Sequence, residues 1–397
     1  VLAHLTEQQR RAHMLADNRL AELATWDQDK LAAELGELSA AGVSVAELGW
    51  TSDDLQRLLN RSMAEADDLL ARTPVAVEAR AERGSIWKLG PHRLMCGDSS
   101  AAEDVDALLA GAPVHLVNMD PPYNVKVEPR SNNAIAAGLS SFTATHHEKF
   151  DVARFPSKAK PTGKMRAKDR PLQNDFVSTE GFDAMLLAWF GNAARVLLPG
   201  RAFYIWGGYA NSGNYPAALA ASGLYYSQAI IWVKEHPVLT RKDFMGNHEW
   251  CFHGWRDEHA SLVQEGKHYK RGHEWCLYGW REGGAHSFLG PANVPDVWTV
   301  KKVAPQQMVH LTEKPVELAL RAIQYSSRKG ENVLDLFGGS GSTLAACQAS
   351  GRNAYLMEID EPYCDVILER WGALTGIEPV LVSGHRRARA RDGARRR

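Results

Sequence analysis

The chain has no apolar run approaching the roughly 20 residues that a membrane-crossing helix needs, and no charged-then-apolar leader opens it. A cytoplasmic protein with no membrane partner is the expectation. It also lacks a disulfide framework: Cys96, Cys251, Cys276, Cys347 and Cys364 are odd in number, scattered and free of any CxxC pair, so reduced thiols are expected. Charge of either sign is not in excess, because 46 Lys and Arg stand against 47 Asp and Glu. That balance neither points to a polyanionic partner nor excludes one, since a neutral total can conceal a basic face. Apolar content is ordinary at 45%, and 397 residues are enough for two or three domains with a large buried core. The chain opens on Val1 rather than Met, and Val1 to Leu5 run into a helical pattern without a cap, so a start truncated upstream is expected.

Residues 1–73 are rich in Ala, Leu, Glu and Arg at helical spacing and read as a small N-terminal helical segment. A charged linker over 74–84 leads into 85–380, where short apolar runs alternate with helical patterns, as a mostly parallel sheet flanked by helices requires. Strands are expected at Ser85 to Trp87, Arg93 to Cys96, Val114 to Met119, Arg201 to Trp206, Ser227 to Val233, Val333 to Leu336 and Ala354 to Glu358. Helices are expected at Asp104 to Leu109, Phe182 to Leu197, Tyr215 to Ser222, Pro315 to Ser326, Ser342 to Ser350 and Glu361 to Thr375. Two stretches break the alternation. Val125 to Asp175 is polar and aperiodic and reads as a mobile surface loop. His248-Glu249-Trp250-Cys251 with Gly254-Trp255-Arg256 recurs 25 positions later as His273-Glu274-Trp275-Cys276 with Gly279-Trp280-Arg281, a small duplication of one strand. The Arg-dominated residues 381–397 read as a disordered, solvated basic tail.

Two motifs carry chemistry. Asp120-Pro121-Pro122-Tyr123 follows the apolar run Val114 to Met119, and the ends of strands in an open sheet are where ligands bind. The exocyclic amine of a nucleobase is a poor nucleophile because its lone pair is delocalised into the ring. Two acceptors aimed at it, the Asp120 carboxylate and the Pro121 carbonyl, would draw the nitrogen toward tetrahedral geometry and free that pair. The fixed φ of proline keeps the turn rigid, and Tyr123 offers a flat face to a base taken out of a duplex. Alone, the motif is also readable as an ordinary strand-to-turn corner with two prolines. The second motif is Asp335-Leu336-Phe337-Gly338-Gly339-Ser340-Gly341-Ser342-Thr343, a strand feeding a glycine turn and then a helix start with free amide donors. Its spacing matches neither GxGxxG nor GxxxxGK[ST]. Glu358, ending the next apolar run, is placed to accept hydrogen bonds from ribose hydroxyls.

Together these residues resemble the DNA amino-methyltransferases that act on adenine N6 or cytosine N4, over about Ser85 to Gly376. With the Asp-Pro-Pro-Tyr motif ahead of the glycine motif, the chain is similar to their circularly permuted β class. The resemblance implies an α/β fold, a Rossmann-like S-adenosylmethionine-dependent methyltransferase sheet. It implies S-adenosyl-L-methionine held by Asp335, Phe337, Gly338, Gly339, Ser340, Gly341, Ser342, Thr343 and Glu358. It implies a target amine held by Asp120, Pro121, Pro122 and Tyr123, with no metal. Asp98, in Cys96-Gly97-Asp98-Ser99, resembles the family's acidic contact to the cofactor adenine. Thr312-Glu313-Lys314-Pro315 resembles the segment that walls the cofactor pocket, with Leu311 where the usual form has Pro. Asp120 rather than Ser favours adenine over cytosine N4, and with no Pro-Cys dipeptide a thiolate route to carbon-5 methylation has no nucleophile. An inactive DNA-binding protein retaining the fold is the alternative from another class.

The implied partner is double-stranded DNA, with the base-readout role falling to the 125–175 loop and a target-recognition region at 235–309. Lys126, Arg130, Lys158, Lys160, Lys164, Arg166, Lys168 and Arg170 are candidate phosphate contacts. His248, Cys251, His273 and Cys276 are zinc-compatible residue types, but their spacing is unlike zinc ribbons or fingers. A strand of the sheet, His273 to Trp280, is the preferred reading, with the other copy an edge or an insertion. The opening stretch around Leu5 to Arg11 and Ala16 to Glu22 resembles the back half of a ParB-like domain and is assigned no catalysis. A homodimer is possible by analogy with the β class, and a partner restriction nuclease is not readable.

Overall fold

A computed structural model describes residues 79–384 except 130, 142–164, 209–210, 239–245, 257–287, 291–293, 304–307 and 311, together with Thr6, Leu31 and Leu38. The chain divides into two compact units, Val1–Ser62 and Met63–Arg397. The N-terminal helical segment apart from Thr6, Leu31 and Leu38, the second copy of the repeat and residues 385–397 lie outside the described residues, as do Arg130, Lys158, Lys160 and Lys164, while the start of the expected disordered tail, 381–383, is instead part of a strand. No described helix is long and apolar enough to cross a membrane.

Ten described strands form one sheet: β1 (Ile86–Leu89), β2 (His92–Cys96), β3 (Val114–Met119), β4 (Leu197–Gly207), β5 (Leu224–Val238), β6 (Gly246–Arg256), β7 (Val297–Thr299), β8 (Asn332–Asp335), β9 (Asn353–Glu358) and β10 (Val380–Ser383). Their spatial order is β10-β1-β2-β9-β8-β3-β4-β6-β5-β7. The central run β2, β9, β8, β3 and β4 is parallel. Its strands are near-continuous apolar sequences with both faces buried, as in Val333, Leu334, Leu116 and Val117, each fully buried. The sheet is therefore Rossmann-like, with the C-terminal β8 and β9 inserted between β2 and β3.

Helices α1 (Ala102–Leu109), α2 (Asn132–Ala136), α3 (Thr179–Val196), α4 (Asn214–Ala221), α5 (Val316–Ser326), α6 (Ser342–Ser350) and α7 (Glu361–Thr375) complete the described elements. Local chemistry sets their ends. The Ser178 hydroxyl caps α3 by accepting from Gly181 N, while α7 has proline in its first turn and stops at Gly376 with φ +70°. Helix α3 buries Phe182, Leu186, Trp189, Phe190 and Ala193, spaced three and four apart on one stripe.

Two expectations are corrected. The strand between β4 and β5 is β6, the first copy of the repeat, paired antiparallel to both neighbours. Residues 273–280, expected to fill that place, lie outside the described residues. The segment after the Asp-Pro-Pro-Tyr motif is also not a surface loop throughout, because its two ends are stitched together. The Asp175 carboxylate accepts from Val125 N at 3.1 Å and Val127 N at 2.7 Å, and Asn124 exchanges both of its amide bonds with the Val177 backbone. Asp169 and Asp175 are fully or almost fully buried there, and α2 forms between. Sequence periodicity misses this because side-chain-to-backbone bonds, not an apolar stripe, hold the segment.

Candidate active site

The C-terminal ends of β3, β8 and β9 open into one cleft of about 1200 Å³, part of it open to solvent. Asp120, Pro121, Pro122 and Tyr123 line it, as do Asp98, Lys314, Asp335, Phe337, Gly338, Gly339, Ser340, Ser342, Thr343 and Glu358. Of the residues expected at the site only Gly341 is outside the lining. It is the left-handed N-cap of α6 at φ +87°, and its absent Cβ would stand 3.5 Å from Ile367.

The glycine turn is built against β9. Gly338 N donates to Met357 O at 2.7 Å, and a Cβ on Gly338 would meet Ile367 at 3.1 Å and that carbonyl at 3.3 Å. The Glu358 carboxylate takes Gly339 N at 2.7 Å and Asp360 N at 2.9 Å, so the expected ribose acceptor also buttresses the loop. Burial lifts its pKa to about 7. Asp335 at the end of β8 is pushed further, to about 8, by burial against bonds from Thr343 and Phe337 N that favour the anion. Thr343 in turn accepts from Asn118 Nδ2 at 3.0 Å, which ties the end of β3 to the turn, and the buried Asn118 Oδ1 has no partner among the described residues. A buried carboxyl and an unsatisfied amide oxygen form an acceptor set suited to an ammonium group. Asp98 is a turn aspartate as well as a cleft residue: Oδ1 accepts from Ser100 N at 2.9 Å, and Arg83 pairs with it at 3.5 Å.

At the other end of the cleft, Tyr123 Oη donates to Asp120 Oδ1 at 2.7 Å. Asn211 Nδ2 holds the turn from outside through Tyr123 O at 2.7 Å and Asn124 O at 3.2 Å. Gly208 is required by close approach, because a Cβ there would stand 2.7 Å from the Tyr123 ring. Lys314, expected at the cofactor wall, lines the cleft and directs its ammonium to this turn: Nζ is 2.6 Å from Asp120 Oδ2 and 2.7 Å from Tyr123 Oη.

Several site residues escaped sequence reasoning. His310 packs tilted against Tyr363 with ring centroids 4.3 Å apart, and burial, then Lys314 and Arg370, lowers its pKa to about 3. It is neutral, and its Nδ1 accepts from Thr312 N at 3.2 Å. Arg370 of α7 pairs with Glu313 at 2.8 Å and donates to Ser340 O at 2.7 Å, joining the Thr-Glu-Lys-Pro segment to the glycine turn. Trp189 packs edge-on to Phe337 at 4.9 Å. Only the His310 and Glu313 positions had a signal, the motif around them. Three expected phosphate contacts are engaged within the protein: Arg166 with Asp169, Lys168 with Met308 O and Arg170 with Asp360.

A mixed sheet with a glycine turn at the C-terminal end of a central strand, next to a second turn carrying a carboxylate and an aromatic ring in the same cleft, is an α/β arrangement with two adjoining sets of polar groups. Residues 114–369 match the family model for N6 and N4 DNA methylases, and the chain belongs to that DNA methylase family. It is 23% identical over 210 residues to the type II methyltransferase M.HinfI of Haemophilus influenzae, covering 50% of this chain and 52% of that protein. To the type II methyltransferase M.BglII of Bacillus subtilis it is 25% identical over 194 residues, covering 43% and 52%. The chain thus spans about half the length of these curated relatives. Among solved structures it is similar to the M1.HpyAVI–SAM complex, with a TM-score of 0.42, 16% identity, and coverage of 70% of this chain and 97% of that one. It is also similar to the cytosine-N4-specific PvuII DNA methyltransferase, with a TM-score of 0.40, 13% identity, and coverage of 70% and 86%.

Proposed function

We propose that the chain is a DNA methyltransferase that moves a methyl group from S-adenosyl-L-methionine to the exocyclic N6 amine of adenine in double-stranded DNA, with residues 85–380 as the methyltransferase domain. The observation that carries the reading is the Asp120-Pro121-Pro122-Tyr123 turn opening into the same cleft as the Asp335 to Thr343 glycine turn. S-adenosyl-L-methionine supplies an activated methyl group on a sulfonium. Asp335 and Asn118 Oδ1 suit its amino-acid ammonium, the backbone of Gly338 to Ser340 permits close approach, and Glu358 and Asp98 suit the ribose and adenine.

On the facing side, Asp120 and the Pro121 carbonyl accept from the target amine and withdraw its protons from the ring plane. They also stabilise the positive charge that grows on nitrogen as the methyl arrives. Asp120 then holds the proton that the product amine releases. Tyr123 and the nearby Trp206 give the extrahelical base apolar faces. Asp in the first motif position supports adenine, and cytosine N4 is the second reading because an identical cleft geometry serves either amine. The test is digestion of unmethylated DNA to nucleosides after incubation with the protein and S-adenosyl-L-methionine. N6-methyladenine is expected. N4-methylcytosine would keep the mechanism and change the base, and no methylated nucleoside would refute the reading.

A further inference from the structure

The reaction proposed above places a positive charge on the target nitrogen as it is methylated, so the surroundings that promote it are an anion and aromatic faces. In this structure those surroundings already enclose a cation. The Lys314 ammonium is 2.6 Å from Asp120 Oδ2 and 2.7 Å from Tyr123 Oη, and it lies 5.0 Å from the Tyr123 ring centroid and 5.4 Å from that of Trp206. Its side chain is only 10% exposed, so the charge sits inside the cleft. The residue's backbone is fixed by the Ser342 hydroxyl, which donates to Lys314 O at 2.9 Å, and by Pro315 behind it. Only the flexible four-carbon stem is free to swing.

We propose that Lys314 is a displaceable stand-in for the target amine, its ammonium filling the amine's place on Asp120 until an extrahelical base expels it. The proposal rests on the reading of Asp120 as the amine acceptor. Lys314 cannot stay during transfer, because a fixed cation hydrogen-bonded to the same carboxylate opposes the charge forming on the base nitrogen. Lys314 is therefore a positioning residue with a cost: the competent, vacated state is a fraction of the free enzyme, and the apparent affinity for DNA is reduced by that fraction. The same cost falls on every base that enters, so it lowers the affinity for DNA without altering the ratio between sites.

The test compares intact protein with Lys314→Met, Lys314→Ala and Lys314→Arg at pH 8, using unmethylated plasmid DNA and S-adenosyl-L-methionine. KM for DNA, kcat and the calorimetric Kd for S-adenosyl-L-methionine are measured for each. Both neutral variants are expected to lower KM for DNA by about threefold or more and to raise kcat/KM, with cofactor Kd within about twofold of the intact protein. Lys314→Arg, which keeps the cation, is expected to retain the higher KM. Cofactor Kd also verifies folding, and the Ala variant guards against the Met side chain blocking the vacated space. Active intact protein with an unchanged or lower kcat/KM in both neutral variants overturns the proposal, as does a cofactor Kd raised tenfold, which would make Lys314 a cofactor contact. Failure of the intact protein to methylate DNA at all would instead defeat the functional reading, and this inference with it.

Discussion

Replacing Arg370 with Met should destabilise the protein strongly and loosen its cofactor loop. Arg370 and Glu313 face each other at 2.8 Å with side chains 3% and 4% exposed. The other Glu313 oxygen takes Val309 N at 2.7 Å, so the carboxylate cannot swing out to water without breaking a backbone bond. Losing one member of a buried ion pair leaves the other charge uncompensated, at about 3–5 kcal/mol. In a unit of this size each kcal/mol moves the thermal midpoint by roughly 2 °C, so the midpoint should fall by about 6–10 °C in a calorimetric scan. The freed Ser340 carbonyl also loses its 2.7 Å donor, so cofactor Kd should rise as well. Combining Arg370→Met with Glu313→Gln removes the stranded charge while keeping an acceptor for Val309 N, and the pair should recover most of the loss. A midpoint drop under about 2 °C would refute the reasoning. So would a double variant as unstable as the single one, because an unpaired buried charge would then not be the cause.

Four further outcomes follow from the site. The carboxyls of Asp335 and Glu358 bind protons more tightly folded than unfolded, at about 8 and about 7, so the destabilisation they impose is absent below about pH 4, grows as pH rises from there toward those values and is constant above them. The thermal midpoint of ligand-free Asp335→Asn should therefore gain on that of the intact protein as pH rises from 6 to 9; a constant difference would contradict this. Binding the cationic cofactor should release protons near pH 8, seen as a buffer-dependent binding enthalpy, and none would be seen if Asp335 were already ionised. Gly208→Ala brings a methyl within 2.7 Å of the Tyr123 ring and should lower methyl transfer at least about tenfold while cofactor Kd is unchanged; equal activity would show that the ring has room to move. Asp175→Ala strands the N–H groups of Val125 and Val127 and should cost about 2 kcal/mol in denaturant unfolding, against no measurable change if water replaces the carboxylate.

The central strands were legible because burial on both faces writes itself as near-continuous apolar runs. Val114 to Met119 is the same in sequence and structure, and Ser342 to Ser350 and Glu361 to Thr375 are bounded by glycine and proline signals that set helix ends. The two motifs were legible as local sequence, and the fold brings them together because β3 and β8 are hydrogen-bonded neighbours despite their separation in the chain. What was not legible depends on distant partners. The repeat offers two nearly identical sequences, and only pairing with β4 and β5 shows that 246–256 occupies the sheet. The contact of Lys314 with Asp120 joins residues 194 positions apart, and Arg370 has no motif that would mark it. Short edge strands such as β7 and β10 are set by their neighbours rather than by a periodic pattern of their own.

The most direct test of the central claim is transfer of a labelled methyl group from S-adenosyl-L-methionine to unmethylated DNA by the intact protein and by Asp120→Ala, with cofactor Kd measured for both. Label in DNA from the intact protein, reduced at least about a hundredfold in Asp120→Ala at equal cofactor affinity, is the predicted result. Equal labelling by the two proteins, or none by the intact protein despite bound cofactor, would contradict it.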